Sequence, residues 1–305
     1  MRMDREIGTS PFAIGLAAAT GAVALGWVYL FLAGAPSRML LLNPASLLVG
    51  LAAVMVLRAA EPLGVKAGRL ALLAMAAAVV ATALAGQSVE HVSRWVSVAG
   101  ITLQPGLMLV PAIAVAFAAG PSCWAAAAVA IATLGLALQP DRALAGALLA
   151  GVAVTAAFRR EPLALATLGA AVAAFTATLL RSDPLPPMPF VEGVMADAVT
   201  LGPVAAICVL AGSALLLAPL LAASEPVTRP RVLAFAAFWL TVLAAAALGN
   251  YPTPLVGFGG SAIVGYLLSV AMLRPAAPSA RADGTSGAAI DEAPGRNGED
   301  RLELA

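Results

Sequence analysis

The stretch Pro252-Thr253-Pro254-Leu255-Val256-Gly257-Phe258-Gly259-Gly260-Ser261 stands just before the last long apolar run of the chain. Its two prolines forbid a regular helix, and Gly259-Gly260 is expected to give the backbone conformations closed to other residues. It is one of a few polar interruptions in a chain that is otherwise overwhelmingly apolar.

Of the 305 residues, 61% are hydrophobic and only 11% charged. A soluble domain carries about 45–50% apolar and about 25% charged residues, so an ordinary soluble domain is excluded. The small residues suit close approach of membrane helices. A net charge of +1 gives no reason to expect nucleic acid as a partner. Cys123 and Cys208 lie in different apolar runs and read as small core residues rather than a disulfide pair.

A span needs roughly 20 mostly apolar residues. Apolar runs near 12–35, 39–58, 70–86, 105–119, 122–138, 143–158, 162–180, 191–221, 232–249 and 259–273 meet or approach that length. The expected fold is all-α, a polytopic integral membrane bundle of about ten transmembrane helices. The run at 191–221 has room for a re-entrant or interfacial start. Arg2 and Arg5 precede a first run long enough to span, which reads as a retained helix rather than a cleaved leader.

With a cytoplasmic N-terminus, the inner side holds Arg2, Arg5, Arg58, Lys66, Arg69, Arg159, Arg160, Arg229, Arg231 and Arg274, and the outer side only Arg38, Arg94, Arg142 and Arg181. That bias obeys the positive-inside rule and puts both termini in the cytoplasm. Residues 1–274 then form one transmembrane domain. Residues 275–305, rich in Pro, Ala, Ser, Gly and acids, read as a disordered cytoplasmic tail.

Four polar segments fall outside: Gln87–Gln104, Gln139–Arg142, Arg181–Glu192 and Asn250–Gly257. The quoted stretch resembles, without gaps, the pattern P-x-P-F-x-S-Y-G-G-S that precedes the last membrane helix of the SEDS proteins (shape, elongation, division and sporulation), the FtsW and RodA group. Ser93-Arg94-Trp95-Val96 with Gln104-Pro105 resembles the family's R-R-W-I followed by Q-P-S-E. Leu138-Gln139-Pro140-Asp141 resembles L-Q-P-D-L-G-T. Leu185-Pro-Pro-Met-Pro-Phe-Val-Glu-Gly193 resembles L-P-E-x-H-T-D-F-I-F. The order and the side of the membrane also agree. The chain is thereby identified as a divergent, shortened member of that family.

The resemblance implies a bacterial inner-membrane protein of peptidoglycan synthesis in cell division or cell shape. It implies contact with membrane lipids, with lipid II or another undecaprenyl-linked precursor, and with a class B penicillin-binding protein. Arg94 would meet pyrophosphate or carboxylate, Arg94, Arg142 and Arg181 would supply positive charge to a departing pyrophosphate, and Trp95 would stack on a sugar or lipid, although Arg94 and Trp95 also read simply as interfacial anchors. Gln104, Asp141, Gly259, Gly260 and Ser261 are carried over as binding residues, although Asp141 also reads simply as the N-cap of the next helix.

The departures bear on catalysis. The family's presumed catalytic Asp aligns with Val191, its His with Pro189 and its Glu with Pro187. The Ser and Glu after Gln-Pro are Gly106 and Leu107, a later Lys is Val110, and a Glu pair is Val199-Thr200. The long outer loop before the motif is reduced to Arg181–Phe190. Glu192 and Asp183 are the remaining candidate bases. One residue is a turn of roughly 100° on a helix, so Glu192 could replace the missing Asp only if the helix starts differently. Asp197, in an apolar run, is a functional candidate by its setting.

His91, beside Glu90, reads as a solvated histidine. One histidine and two distant cysteines build no metal set, and no cofactor is called for. Three readings follow. The first is a SEDS-like protein that binds precursor or partner with catalysis lost. The second is an active glycosyltransferase polymerising lipid II. The third is a lipid or small-molecule transporter, for which no matching pair of interrupted helices is found.

Overall fold

The computed structural model describes residues 10–60, 64–89, 92–181, 186–249 and 251–274. Residues 275–305, Glu90, His91, Asp183 and Asn250 lie outside them. The described chain is a helical membrane bundle. Its helices are α1 (Pro11–Leu32), α2 (Ser37–Ala60), α3 (Gly64–Ala85), α4 (Pro105–Ala119), α5 (Cys123–Leu138), α6 (Arg142–Arg159), α7 (Pro162–Leu179), α8 (Val194–Leu201), α9 (Pro203–Leu215), α10 (Arg229–Ala247) and α11 (Gly260–Ala271). Six of them, α1, α2, α3, α6, α7 and α10, are long and apolar enough to cross a membrane. The apolar α4, α5, α9 and α11 are shorter.

Each run read from the sequence carries a helix, and one carries two. At 191–221 the chain breaks at Gly202, whose φ of 130° is closed to side-chain-bearing residues, and Pro203 starts α9. A 3-10 turn, Ala218–Ala222, extends that run.

The centre of the bundle is α4, α6, α10 and α11. Gly265 of α11 lies against the α4 backbone at Leu107 and Met108, where any side chain would collide. Without water to drive association, such close backbone approach is what holds membrane helices together. Trp239 of α10 donates from Nε1 to Ser269 Oγ at 3.1 Å, and the Tyr266 hydroxyl donates to the Leu216 carbonyl at 3.1 Å. Both polar tips are thus satisfied within the apolar core.

By contrast α2 packs on α11 and α1, α3 packs on α5 and α4, and the two consecutive helices barely touch. Their outward faces, with Leu48, Val56, Leu70 and Leu84, are exposed apolar surface. Of the cysteines, Cys208 is buried as expected, but Cys123 is exposed at the first position of α5.

The described residues of the polar segment 87–104 include a three-stranded antiparallel sheet of β1 (Gln87–Val89), β2 (Val92–Val98) and β3 (Ile101–Leu103). The β2–β3 turn is Ala99-Gly100, with φ of 50° and 78°, the paired positive φ of a two-residue hairpin turn.

Candidate functional site

The sheet, the start of α2 and the turns before α8 and α11 enclose a cavity of about 500 Å³, within the roughly 300–1,000 Å³ of small-ligand sites. Arg38, Arg94, Trp95, Gln104, Glu192 and Tyr251 are among its lining residues.

Beneath it lies a buried polar network. Asp141 is fully buried and caps α6, its Oδ1 accepting from Leu144 N–H at 3.0 Å. The capping expected of it is therefore present. Asp141 Oδ2 accepts from Gln104 Nε2 at 3.2 Å and from the Tyr251 hydroxyl at 3.5 Å, and Arg94 Nε lies 3.8 Å away. Arg94 also donates to the carbonyls of Gln139 (3.3 Å) and Pro140 (2.7 Å). Three of the outer polar segments, far apart in sequence, thus meet at one carboxylate. Burial pushes the Tyr251 phenol well above the usual tyrosine range, and the Asp141 charge adds to it.

Of the two anions expected for Arg94, pyrophosphate or carboxylate, the structure supplies an internal carboxylate: Arg94, with only 4% of its surface exposed, is buried against Asp141 and two carbonyls. The exposed cation of the cavity is Arg38, whose Nη2 donates to the Gly100 carbonyl at 2.9 Å and ties α2 to the hairpin.

Arg142 and Arg181 are not among the cavity's lining residues. Arg181 Nη1 donates to the carbonyls of Ala137 and Leu138 at 3.0 Å, closing the end of α5, and Arg142 donates to the Arg181 carbonyl at 2.9 Å. A cation at a helix C-terminus is a stabilising arrangement in itself. Trp95 and Gln104 do line the cavity.

Gly259, Gly260 and Ser261 form the seat of the quoted stretch rather than the cavity's lining. Ser261 Oγ accepts from Gln104 N–H at 2.9 Å. Asn43, buried in α2, accepts from Gly259 N–H (3.2 Å) and donates to the Gly257 carbonyl (2.9 Å). Gly259 has φ 169°, extended backbone open to any residue, and the positive φ falls at Leu255 (64°) instead. The glycines are needed for closeness. Gly260 lies against Ser46, and Gly257 fits among three carbonyl oxygens.

The segment before α8 is a turn and not a helix. Phe190 and Gly193 have φ of 66° and 71°, and α8 begins only at Val194. The helical rotation that separated Glu192 from the missing Asp therefore does not apply. Val191 is taken up in backbone pairing, its carbonyl accepting from Thr253 N–H at 2.9 Å, while Phe258 N–H donates to the Phe190 carbonyl at 2.7 Å. Glu192 faces the cavity, its Oε2 accepting from Met188 N–H at 2.6 Å. Asp197 is exposed in the first turn of α8, where an acid suits the helix dipole.

Sequence reading missed Arg38 and Tyr251. Arg38 was legible only as an outer cation among four, and Tyr251 as a residue next to Pro252.

A helical bundle with a cavity built from its polar end loops, over a buried Asp–Arg–Gln–Tyr network, is the class these features define. Among solved structures, the fold is that of Rod shape determining protein RodA of Thermus thermophilus. A crystal structure of an aspartate-to-alanine variant of that protein aligns with TM-score 0.56 at 20% identity over 85% of this chain and 95% of that one. A second crystal structure, of RodA itself, gives TM-score 0.53 at 20% identity over 85% and 94%. The shared feature is the fold. No protein-family model and no curated protein sequence matches the chain.

Proposed function

We propose that this chain is a SEDS-type protein of the bacterial inner membrane that serves peptidoglycan synthesis by holding a lipid-linked precursor, without polymerising it. The observation that carries the reading is the cavity of about 500 Å³, on which three of the family-like motifs converge, with Arg38 exposed at its wall. A pyrophosphate with an attached sugar needs a cation and a flat face, and Arg38 and Trp95 offer both. The acyl chain of such a ligand would remain in the bilayer. A class B penicillin-binding protein is the partner class that the fold likeness suggests.

Loss of catalysis follows from the chemistry of general-base transfer. A base must reach the acceptor hydroxyl, and Val191 has no group to take its proton. The second reading, an active glycosyltransferase, is favoured by one observation, the placement of Glu192 on the cavity wall. Against it, that carboxylate already closes the turn to Met188.

The test is binding of lipid II to the purified protein in nanodiscs. Arg38→Gln and Trp95→Ala should each weaken it about tenfold or more, a loss of one charge-assisted contact or one stacking face. Equal binding by wild type and both variants would remove the cavity from the account.

A further inference from the structure

A second cavity, of about 370 Å³, lies at the opposite end of α2, α3 and α11 from the first. Arg58 of the last turn of α2 and Arg274, just past α11, both line it, together with Gly64, Gly68 and Ala71 of α3. A side chain built on Gly64 or Gly68 would meet nothing within 4 Å, so the recess is open along that wall. Arg274 is held in place from two sides. Its guanidinium stacks 5.5 Å over the Phe12 ring, and its carbonyl accepts from Arg231 Nη1 at 2.7 Å.

We infer that this recess binds the headgroup of an anionic phospholipid from the leaflet on that side. Three observations converge. Two arginines from separate elements share one recess, the arrangement that meets a phosphodiester from two directions. The rest of its lining is apolar and mostly small, which suits the glycerol and upper acyl chain. The recess opens between α2 and α3, the pair that barely touch, whose exposed Val56 and Leu70 present the apolar surface along which acyl chains would lie. The lipid would fill the divergence of these two helices and fix their separation.

The experiment is native mass spectrometry of the full chain, titrated with phosphatidylglycerol or phosphatidylcholine of the same acyl chains. The expected result is one phosphatidylglycerol bound at concentrations where phosphatidylcholine is not. Arg58→Gln with Arg274→Gln should weaken it about tenfold. Gly68→Leu, which fills the recess without touching a charge, should weaken it as well. Arg159→Gln with Arg160→Gln, on the same side at the end of α6, should leave it unchanged. Equal adducts with both lipids, full retention in the recess variants, an equal loss in the Arg159/Arg160 control, or competition by inorganic phosphate alone would each overturn the assignment. The result is independent of the lipid II measurement, because the two cavities lie at opposite ends of the bundle.

Discussion

Removing the Asp141 carboxylate should be among the most destabilising single changes available in this chain. Asp141→Ala deletes the N-cap of α6, where Oδ1 meets Leu144 N–H at 3.0 Å, an effect of about 1 kcal/mol. It also leaves Arg94, 4% exposed, as a buried cation without its 3.8 Å counter-charge. Breaking a buried pair from one side costs about 3–5 kcal/mol, the residual charge being the larger part. The Arg94 bonds to the Gln139 and Pro140 carbonyls remain, so we expect a total of about 4 kcal/mol, near the middle of that range. Asp141→Asn keeps an oxygen for the cap and should lose about 1 kcal/mol less than the alanine. Arg94→Gln combined with Asp141→Asn should be less damaging than the two single losses summed, with a coupling of about 1–3 kcal/mol. The assay is equilibrium unfolding in mixed micelles followed by tryptophan fluorescence, with Glu161→Ala as control. Glu161 is exposed and makes no side-chain capping bond, so its loss should stay within about 0.5 kcal/mol. If Asp141→Ala is no worse than that control, or the double variant is strictly additive, the network does not bind the three loops together.

Gly257→Ala places a Cβ 2.9 Å from the Thr253 carbonyl oxygen and 3.2 and 3.3 Å from those of Phe190 and Val191. Three fixed acceptors cannot all retreat, so about 1–3 kcal/mol is lost, and limited proteolysis should cut first within 186–193. Tyr251 titrates far above the usual range in the folded protein, whereas in the unfolded chain it ionises near about 10. The folded state therefore holds its proton where the unfolded state releases it, and stability is present below about pH 10 and falls as pH rises beyond it. Tyr251→Phe should flatten that alkaline fall in a pH-dependent melting series. Trp239→Phe removes the 3.1 Å bond to Ser269 and should cost about 1 kcal/mol, read by the same unfolding assay.

The spans were legible because a bilayer demands long apolar runs whatever the packing. The bounds of α4 follow directly from Pro105 at its start and Gly120 at its end. The break at Gly202-Pro203 was written in the residues, yet the apolar run on either side concealed it. The hairpin was legible in retrospect. Val96-Ser-Val-Ala-Gly-Ile-Thr-Leu103 alternates apolar and polar residues around an Ala-Gly turn, a pattern outweighed by the setting of the segment between two membrane helices. The convergence of Arg94, Gln104, Asp141 and Tyr251 was not readable. Gln104 and Tyr251 are 147 residues apart, and only the bundle brings them together. For Glu192 the facing depended on where the helix starts, which the residues alone did not fix. The helix starts only at Val194, after Phe190 and Gly193 adopt positive φ, and the facing of a side chain in such a turn follows no 100° rule.

The central claim, a precursor-binding cavity without polymerase activity, is tested most directly by incubating the purified protein with lipid II in liposomes. It should be run alone and with a class B penicillin-binding protein, beside Glu192→Gln. The account predicts bound lipid II and no glycan strands in either protein under either condition. Glycan product from the wild type that disappears in Glu192→Gln would contradict it, and would make Glu192 the base of an active glycosyltransferase.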